Sequence, residues 1–312
     1  MLSFRVLNSG QDVISGKPDG GAQPLVKGIT ALEPRHAGPK MADAFPGAFS
    51  RATPIVYAHQ PLIFGASLLR FHPIEAALVL AENLDYGKDG TRERFLSGYS
   101  ILAGLVRGNP VESYKWLFEP CANHSLSIKV LSADDGLGDL LKLFSATRFG
   151  FTVITQGRLR AMVGISDVLQ LYEEGTLDTD LKAKEVASKT ITVNGKVPLQ
   201  AALRTMFENK VRKLVLRGGR RMVSDREIIS YVFSPRKLKL TRDSPRSLAQ
   251  TKLDEVMPVE VEKVSGDTPL REVAVALPRA SGNTVICERG VITPWDAVMK
   301  PWLMGHLLLR KR

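Results

Sequence analysis

The sequence predicts a mixed α/β (α+β) protein of four tandem β-α-β-β-α units behind a flexible N-terminal segment. Three observations support this class. Short β-branched runs alternate with amphipathic helical stretches along most of the 312 residues. The order of these elements recurs with a period of about sixty residues. A hydrophobic content of 44% is ordinary for a globular protein that buries a core.

The last unit, repeat 4 (residues 252–304), shows the pattern best. TPLREVAVAL has the Thr cap, the Pro and the apolar spacing of an amphipathic helix. NTVICE and GVI predict a hairpin around the turn ERG, and PWDAVM predicts a second helix. With the short strand that precedes them, these segments make one β-α-β-β-α unit.

The other units follow the same plan. Repeat 3 (183–236) has VPLQAALRTMF as its first helix, RKLVLR and RMV as its hairpin, and SDREIISYVF as its closing helix. Repeat 2 (119–176) runs from the strand LSIKVL to the helix ISDVLQLY. Repeat 1 (49–110) is degenerate: PLIFGASLLRF predicts a helix, IEAALVLAE a strand, and RERFLSGYSILAGLV a strand leading into a helix.

Three segments fall outside the repeats. Residues 1–48 are rich in Gly and Pro and predict a flexible extension, and Met41 inside it is an alternative start of the natural protein. Residues 237–251 predict a basic linker, and 305–312 a C-terminal tail. We expect the run WLMGHLLLRKR to finish the last helix; docking on a partner or a membrane surface is the alternative.

The start of the last helix carries a possible binding group. Thr293 is a good N-cap, and Pro294 suits the first helical position because it has no N–H to satisfy. Asp296 then lies in the first turn, where the helix dipole favours a negative charge. The positions that match Asp296 in repeats 1 to 3 are Gly104, Asp167 and Glu227, with separations of 63, 60 and 69 residues.

These residues resemble the closing signature of cystathionine β-synthase (CBS) domains, G-h-h-[ST]-x-x-D. Residues 290–296 fit it completely, and residues 221–227 fit it with Arg221 for Gly and Glu227 for Asp. The resemblance covers roughly residues 50–303. It implies two pseudo-twofold CBS pairs, repeats 1 with 2 and 3 with 4, as in the gamma subunit of AMP-activated protein kinase.

The resemblance also implies an adenosine-containing ligand, namely AMP, ADP, ATP or S-adenosylmethionine, in the cleft between repeats 3 and 4. A carboxylate at a helix start can accept hydrogen bonds from both ribose hydroxyls, and the helix N-terminus favours an anion. The predicted ribose contacts are Asp296, Glu227 and Asp167. The predicted hydroxyl and phosphate contacts are Thr293, Ser224, Ser166, Arg212 and Lys213. Thr190 and Val259 are the predicted adenine contacts.

Two repeats depart from the signature. Repeat 1 has Ile101 and Gly104 at the Thr and Asp positions, so we expect its site to be structural. Repeat 2 keeps Asp167 but has Gly164 for Thr, and only Ser166 beside it can supply a hydroxyl. Each acid can also act solely as a first-turn cap, and Ser224 with Glu227 can be no more than a capping box.

Positive charge is concentrated in one segment of this chain, whose formal net charge is +11. Residues 204–246 hold thirteen basic residues against four acids. This excess favours an anionic partner, such as a phosphate-bearing ligand, a nucleic acid or an acidic protein, unless it is simply a solvated face. Aromatic side chains are sparse there, so a nucleic acid would be bound through its phosphates rather than by base stacking.

Other function classes find little support. Cys121 and Cys287 are far apart and predict two buried thiols, and the five histidines show no metal-ligand spacing. No nucleophile–base pattern predicts an enzyme, and no apolar run approaches the roughly 18 residues of a membrane span. We therefore expect a cytoplasmic, non-catalytic regulatory or sensor protein without cofactors. Its expected protein partner is a second copy of the chain, in a homodimer, or an unknown effector protein. The alternatives are a nucleic-acid-associated protein and a ligand-free structural interaction module.

Overall fold

The computed structural model describes residues 29–31, 38–71, 76–80, 92–107, 113–244 and 246–310. Helices and strands alternate through these ranges, which confirms the predicted α/β class. Strand β1 (Ile29–Ala31) and helix α1 (Met41–Ala44) come first. Repeat 1 then contains β2 (Ile55–Tyr57), α2 (Leu62–Phe71), β3 (Ala76–Leu80), β4 (Arg92–Ser97) and α3 (Gly98–Arg107).

Repeats 2 and 3 have the same element order. Two short helices, α4 (Ser113–Trp116) and α5 (Cys121–His124), lead to repeat 2. Repeat 2 contains β5 (Leu126–Ser132), α6 (Leu137–Thr147), β6 (Phe151–Gln156), β7 (Leu159–Gly164) and α7 (Ile165–Glu173). After β8 (Leu177–Asp178) and α8 (Ala183–Val186), repeat 3 contains β9 (Thr192–Val193), α9 (Leu199–Glu208), β10 (Lys213–Leu216), β11 (Arg221–Ser224) and α10 (Asp225–Val232).

The segment predicted as a basic linker between repeats 3 and 4 is helical. It contains α11 (Pro235–Asp243) and α12 (Ser247–Gln250), and strand β12 (Val259–Glu260) follows. Repeat 4 contains β13 (Glu262–Lys263), α13 (Leu270–Ala276), β14 (Val285–Cys287), β15 (Gly290–Ile292) and α14 (Pro294–Leu303). Strand β16 (Leu308–Arg310) is the last described element.

Helix α9 shows how the sequence pattern produces these elements. Leu199, Ala202, Leu203 and Met206 are buried, at the i, i+3, i+4, i+7 spacing of one helix face. Arg204 on the opposite face is exposed. The helix therefore forms because packing of its apolar face adds to its local propensity.

Sheets join neighbouring repeats. Strands β2 to β7 form one six-stranded sheet, in which β4 of repeat 1 pairs antiparallel with β5 of repeat 2. Strand β12, which leads into repeat 4, pairs with β11 of repeat 3. Val215 and Met222 of repeat 3 share a buried cluster with Val261, and Ile286 and Val291 of repeat 4 pack against it. This is the predicted pairing of repeat 1 with 2 and of repeat 3 with 4.

Helices join one pair to the other. Repeat 1 packs on repeat 3, with Leu102 of α3 and Ile229 of α10 in one buried cluster. Repeat 2 packs on repeat 4, where the Tyr172 hydroxyl of α7 donates to the Ala297 carbonyl of α14 at 3.1 Å. A change in one pair therefore has a packed path to the other through α3–α10 and α7–α14.

The leader segment of each repeat, which precedes its first strand, crosses to the partner repeat. The leader of repeat 1 lies on repeat 2, where the Ala42 amide donates to the Ala133 carbonyl at 2.9 Å. The leader of repeat 3 lies on repeat 4, where Ser188 and Val291 exchange two backbone hydrogen bonds of 2.8 and 2.9 Å.

The other two leaders cross in the opposite direction. The Leu62 amide of repeat 1 donates to the Glu119 carbonyl in the leader of repeat 2 at 2.8 Å. The Leu253 amide in the leader of repeat 4 donates to the Val197 carbonyl of repeat 3 at 3.0 Å. Each closing helix therefore begins beside a leader that belongs to the partner repeat.

Two terminal expectations need correction. The flexible extension was expected to reach residue 48, but residues 38–48 pack on repeat 2 with Met41 fully buried and Phe45 6% exposed. The apolar side chains of this segment are buried against repeat 2, and this burial keeps the segment ordered despite its loop-like composition. Residues 1–28 and 32–37 lie outside the described residues. Near the C-terminus, 308–310 do not extend the last helix; β16 pairs with β1 and β8.

Candidate ligand-binding site

The closing helices of repeats 2, 3 and 4 begin with one shared arrangement. In each, a carboxylate at the third helical position accepts a hydrogen bond from the backbone N–H of the N-cap residue. Such a carboxylate satisfies an amide of the helix start and interacts favourably with the helix dipole. The three acids are Asp167, Glu227 and Asp296, as predicted from the sequence. Their remaining partners differ.

Asp296 of repeat 4 is 4% exposed and has partners on both oxygens. Oδ2 accepts from the Thr293 amide at 2.9 Å and from the Thr293 hydroxyl at 2.7 Å. Oδ1 accepts from the Ser188 hydroxyl at 2.5 Å and lies 3.1 Å from the Lys300 ammonium. Lys300 also donates to the Val186 carbonyl at 2.6 Å. The buried charge is thus balanced from the repeat-3 leader and from its own helix.

Asp167 of repeat 2 is 7% exposed and is also bound on both oxygens. Oδ2 accepts from the Gly164 amide at 2.7 Å, and Oδ1 pairs with the Arg51 guanidinium at 2.5 Å. Arg51 comes from the leader of repeat 1 and also donates to the Met162 carbonyl at 3.2 Å. A guanidinium of the same chain therefore faces the carboxylate that was predicted to face ribose. Ser166, beside it, is half-buried.

Glu227 of repeat 3 is bound on one oxygen. Oε2 accepts from the Ser224 amide at 2.8 Å and from the Ser224 hydroxyl at 2.5 Å. Oε1 accepts no hydrogen bond from any residue in the described ranges. The side chain is half-buried. Of the three acids, this one keeps an acceptor available for a ligand while it caps its helix.

Repeat 1 has no acid at its helix start, and its predicted register was wrong by four residues. Strand β4 continues to Ser97, and the Ser97 amide donates to the Ser100 hydroxyl at 2.9 Å. Ser97 and Ser100 therefore take the cap and acid positions that the sequence alignment gave to Ile101 and Gly104. Gly104 lies inside α3, where a Cβ would come within 1.7 Å of the Trp116 ring nitrogen. Close helix packing explains this glycine.

The two predicted phosphate contacts point to different neighbours. The Arg212 Nε donates to the Asp225 carboxylate at 2.6 Å, and the pair lines a cleft with Arg70 and Gly98 of repeat 1. Lys213 instead reaches repeat 4, where its ammonium donates to the Gly282 carbonyl at 2.7 Å, among other acceptors. Lys213 lies at the contact between repeats 3 and 4, whereas Arg212 lies between the two pairs.

The two predicted adenine contacts lie on the crossing leaders. Thr190 is half-buried and follows Ser188, which is bridged to repeat 4. Val259 is half-buried in β12, opposite Met222 of repeat 3. Met257, in the same leader as Val259, is 80% exposed. The repeat-4 leader thus brings an apolar side chain alongside strand β11, which ends at Ser224, the N-cap of the helix that carries Glu227.

A surface ion-pair cluster holds the repeat-3 leader on repeat 4. Asp267 of repeat 4 accepts from Lys184 at 2.8 Å and from Lys182 at 3.1 Å. These two ammonium groups hold the pKa of the Asp267 carboxyl below its usual range. The same contact raises the pKa of Lys184. The cluster adds a solvent-exposed contact between the repeat-3 leader, which carries Ser188, and repeat 4.

The sequence did not predict several of these partners. Lys300 could have been predicted, because it lies one helical turn after Asp296. Ser188 and Arg51 could not, because each reaches its acid across more than a hundred residues. Cys121 and Cys287 are both buried thiols, as predicted, and burial raises the pKa of Cys121.

The described part of the chain also bears on metal binding and on membrane insertion. No group of three or more His, Cys, Asp or Glu side chains is arranged to hold a metal ion there. No helix in it is both long and apolar enough to cross a bilayer.

Comparison with known proteins identifies the fold. No protein-family model and no curated protein sequence matches the chain. Protein MJ1225 from Methanocaldococcus jannaschii, described as a candidate archaeal homolog of g-AMPK, is similar in structure with a TM-score of 0.69. At 14% identity the alignment covers 83% of this chain and 98% of that one.

Two further structures align less closely. A conserved protein from Pyrococcus horikoshii aligns with a TM-score of 0.42 at 14% identity, covering 73% of this chain and 91% of that one. The CBS-pair protein CBSX2 from Arabidopsis thaliana aligns with a TM-score of 0.32 at 14% identity, covering 40% of this chain and 97% of its own. At this identity the comparison shows the fold alone: the chain has the fold of MJ1225.

Proposed function

We propose that this protein is a non-catalytic regulatory protein that binds an adenosine-containing ligand in the cleft between repeats 3 and 4. The observation that carries the proposal is the helix start of repeat 3. There a carboxylate with an available oxygen, Glu227 Oε1, lies next to the Ser224 hydroxyl and below a leader from repeat 4. A carboxylate acceptor can take hydrogen bonds from the two neighbouring hydroxyls of a ribose.

The apolar part of the ligand has a surface in the same cleft. Val259 and Met257 lie on the repeat-4 leader, next to β11 of repeat 3. A purine ring against such side chains gains apolar burial, and a thioether adapts its shape to an aromatic face. Phosphates, where the ligand has them, would meet the N-terminus of α10. Lys213 would reach them only by releasing one of its three acceptors, the Gly282 and Asn283 carbonyls and the Thr284 hydroxyl.

Asp296 offers a second position in the cleft under a different condition. A ribose there must replace the Ser188 hydroxyl, since both oxygens of the acid are already bound. The Lys300 ammonium would stay beside the Asp296 carboxylate and continue to balance its negative charge after the exchange. We therefore expect the Glu227 position to bind first and the Asp296 position to require rearrangement of the repeat-3 leader.

The first pair is less suited to a ligand. Its one acid, Asp167, is paired with Arg51, and repeat 1 has Ser100 in place of an acid. A ligand at Asp167 would have to break a charge-assisted pair before it gained its own hydrogen bonds. We propose that this pair serves as a structural support for the second.

Regulation requires that the ligand prefer one of two conformations. The cleft contacts α10, which packs on α3 of repeat 1, so binding can bias the junction between the pairs. A coupling of about 1 to 3 kcal/mol is typical of such proteins. The recipient of the signal would be a second copy of the chain or an effector protein.

A thermal-shift screen tests the proposal. AMP, ADP, ATP and S-adenosylmethionine are each added to the full-length protein, and a ligand of the folded state raises the unfolding temperature by mass action. We expect a shift with at least one of them, abolished in Glu227→Gln and retained in the matched variant Asp167→Asn. No shift with any of the four would favour the ligand-free structural module instead.

A further inference from the structure

The turn between β10 and β11 carries a group of arginines that the ligand cleft does not use. Its sequence is Arg217-Gly218-Gly219-Arg220-Arg221, and the three arginine side chains are exposed. None of them forms an ion pair with any residue the structure describes. The three guanidinium groups are therefore not engaged in ion pairs, although Glu260 lies opposite Arg221 in the β11–β12 register.

The backbone of this turn is fixed. Gly218 and Gly219 have φ values of 100° and 67°, a left-handed conformation that favours glycine. The Arg217 amide donates to the Val193 carbonyl at 2.9 Å on one side of the hairpin. On the other side, the Arg220 carbonyl accepts from the Val261 amide, also at 2.9 Å. The arginines thus project from a backbone held by both neighbouring strands.

The corresponding turns of repeats 2 and 4 are different. In repeat 2, Arg158 is exposed, but Arg160 pairs with Glu93 at 2.8 Å. In repeat 4, Glu288 accompanies Arg289, and its carboxylate accepts from the Gly266 amide at 3.0 Å. The turn of repeat 1 lies outside the described residues. Each of these two turns therefore has one arginine without an ion pair to a described residue, whereas the repeat-3 turn has three.

We propose that the repeat-3 turn is a docking site for the phosphodiester backbone of a nucleic acid. Guanidinium groups bind phosphate oxygens in a bidentate manner, which an ammonium group cannot do. Two adjacent glycines leave room for a polymer backbone to approach the protein main chain closely. The net charge of +11 adds a long-range attraction for polyanions.

The chemistry of the turn favours a nucleic acid over an acidic peptide. None of the large exposed apolar side chains of the described residues lies in residues 217–221. A peptide would lack the apolar or aromatic anchor that usually dominates protein interfaces. The turn also has no aromatic ring for base stacking, so binding would not depend on base sequence.

Fluorescence anisotropy with labelled RNA and DNA oligonucleotides of mixed sequence tests this site independently of the adenosine cleft. We expect the full-length protein to bind at about 50 mM salt, and a triple variant R217A/R220A/R221A to bind about tenfold more weakly. The slope of log K against log salt should fall by about two to three units, near one per lost phosphate contact. The variant R217K/R220K/R221K should keep most of that slope.

The matched control removes the same charge elsewhere. R158A/K263A/R289A takes away three exposed cations that likewise pair with no acid in the described ranges. We expect it to weaken binding by less than about threefold, since it alters only the general attraction. Equal losses in both triple variants would overturn the docking site, as would a wild-type protein that fails to bind at low salt. Polyglutamate that competes as well as the oligonucleotide would assign the turn to acidic peptides instead.

Discussion

The helix starts of repeats 2 and 3 have the same cap but differ in what they leave for a ligand. Asp167 is bound by the Gly164 amide on one oxygen and by Arg51 on the other. Glu227 is bound through one oxygen to Ser224, and its second oxygen has no described partner. The acid and its cap are local features, whereas the group facing the acid comes from a leader. Whether the second carboxylate oxygen is available to a ligand therefore depends on the residues of the crossing leader more than on the G-h-h-[ST]-x-x-D signature.

The largest expected change is in stability when the most extensively bound acid is removed. Asp296→Ala deletes an acceptor used by Thr293, Ser188 and Lys300, and it leaves a half-buried ammonium without its acid. We expect a loss of about 2 kcal/mol, measured as a lower denaturant midpoint. A loss no greater than that of Glu227→Ala would mean that the extra partners of Asp296 contribute nothing.

A smaller effect is expected at the repeat-2 acid. Arg51→Ala removes the guanidinium from Asp167, but the Arg51 side chain is 44% exposed and water can replace it in part. We expect a loss of about 1 kcal/mol or less, and a coupling of similar size in a double-mutant cycle with Asp167→Asn. Strict additivity in that cycle would show that the ion pair does not hold the leader.

A still smaller effect is expected at the acid of repeat 3. Glu227→Gln keeps an oxygen that can accept from the Ser224 amide, so the cap is retained. We expect the denaturant midpoint to change by less than about 0.5 kcal/mol in equivalent free energy. A large destabilisation would place Glu227 in the framework of the fold rather than in a binding site.

The smallest effect is expected at Asp267, in the surface ion-pair cluster with Lys182 and Lys184. Its folded pKa is lowered by Lys184 and Lys182, so its contribution to stability is complete above the unfolded pKa and is lost as pH falls through the folded pKa. Asp267→Asn should therefore be slightly less stable than wild type at neutral pH, and equal to it in acid. Thermal unfolding at a series of pH values measures the difference. A stability difference between wild type and Asp267→Asn that grows as the pH falls would contradict this prediction.

Much of the fold could be predicted because its helices and strands follow from patterns of neighbouring residues. The spacing of Leu199 to Met206 and the cap at Thr293 each determine an element from adjacent residues. Repeat 1 was misaligned because Ser100 stands at the position where the other repeats have an acid. Without that acid, the signature could not be aligned to this helix start. Ser97 and Ser100 were found only through the end of strand β4.

The site could be predicted only in part. The three acids and their caps follow from the repeated signature, but their partners are long-range. Arg51 lies 116 residues before Asp167, just before the first strand of repeat 1. Periodicity contains no information on which leader crosses to which repeat, so the availability of each acid becomes visible only in the folded chain.

The central claim is that the cleft between repeats 3 and 4 recognises ribose through a carboxylate. Calorimetry of AMP and of its 2′,3′-dideoxy analogue, with wild-type protein and Glu227→Gln, tests it most directly. We expect wild type to prefer AMP by about tenfold or more, and the variant to lose that preference, because each lost hydrogen bond to a charged group costs about 1.5 to 3 kcal/mol. Equal binding of the two nucleotides by wild type, or an unchanged preference in Glu227→Gln, would contradict the account.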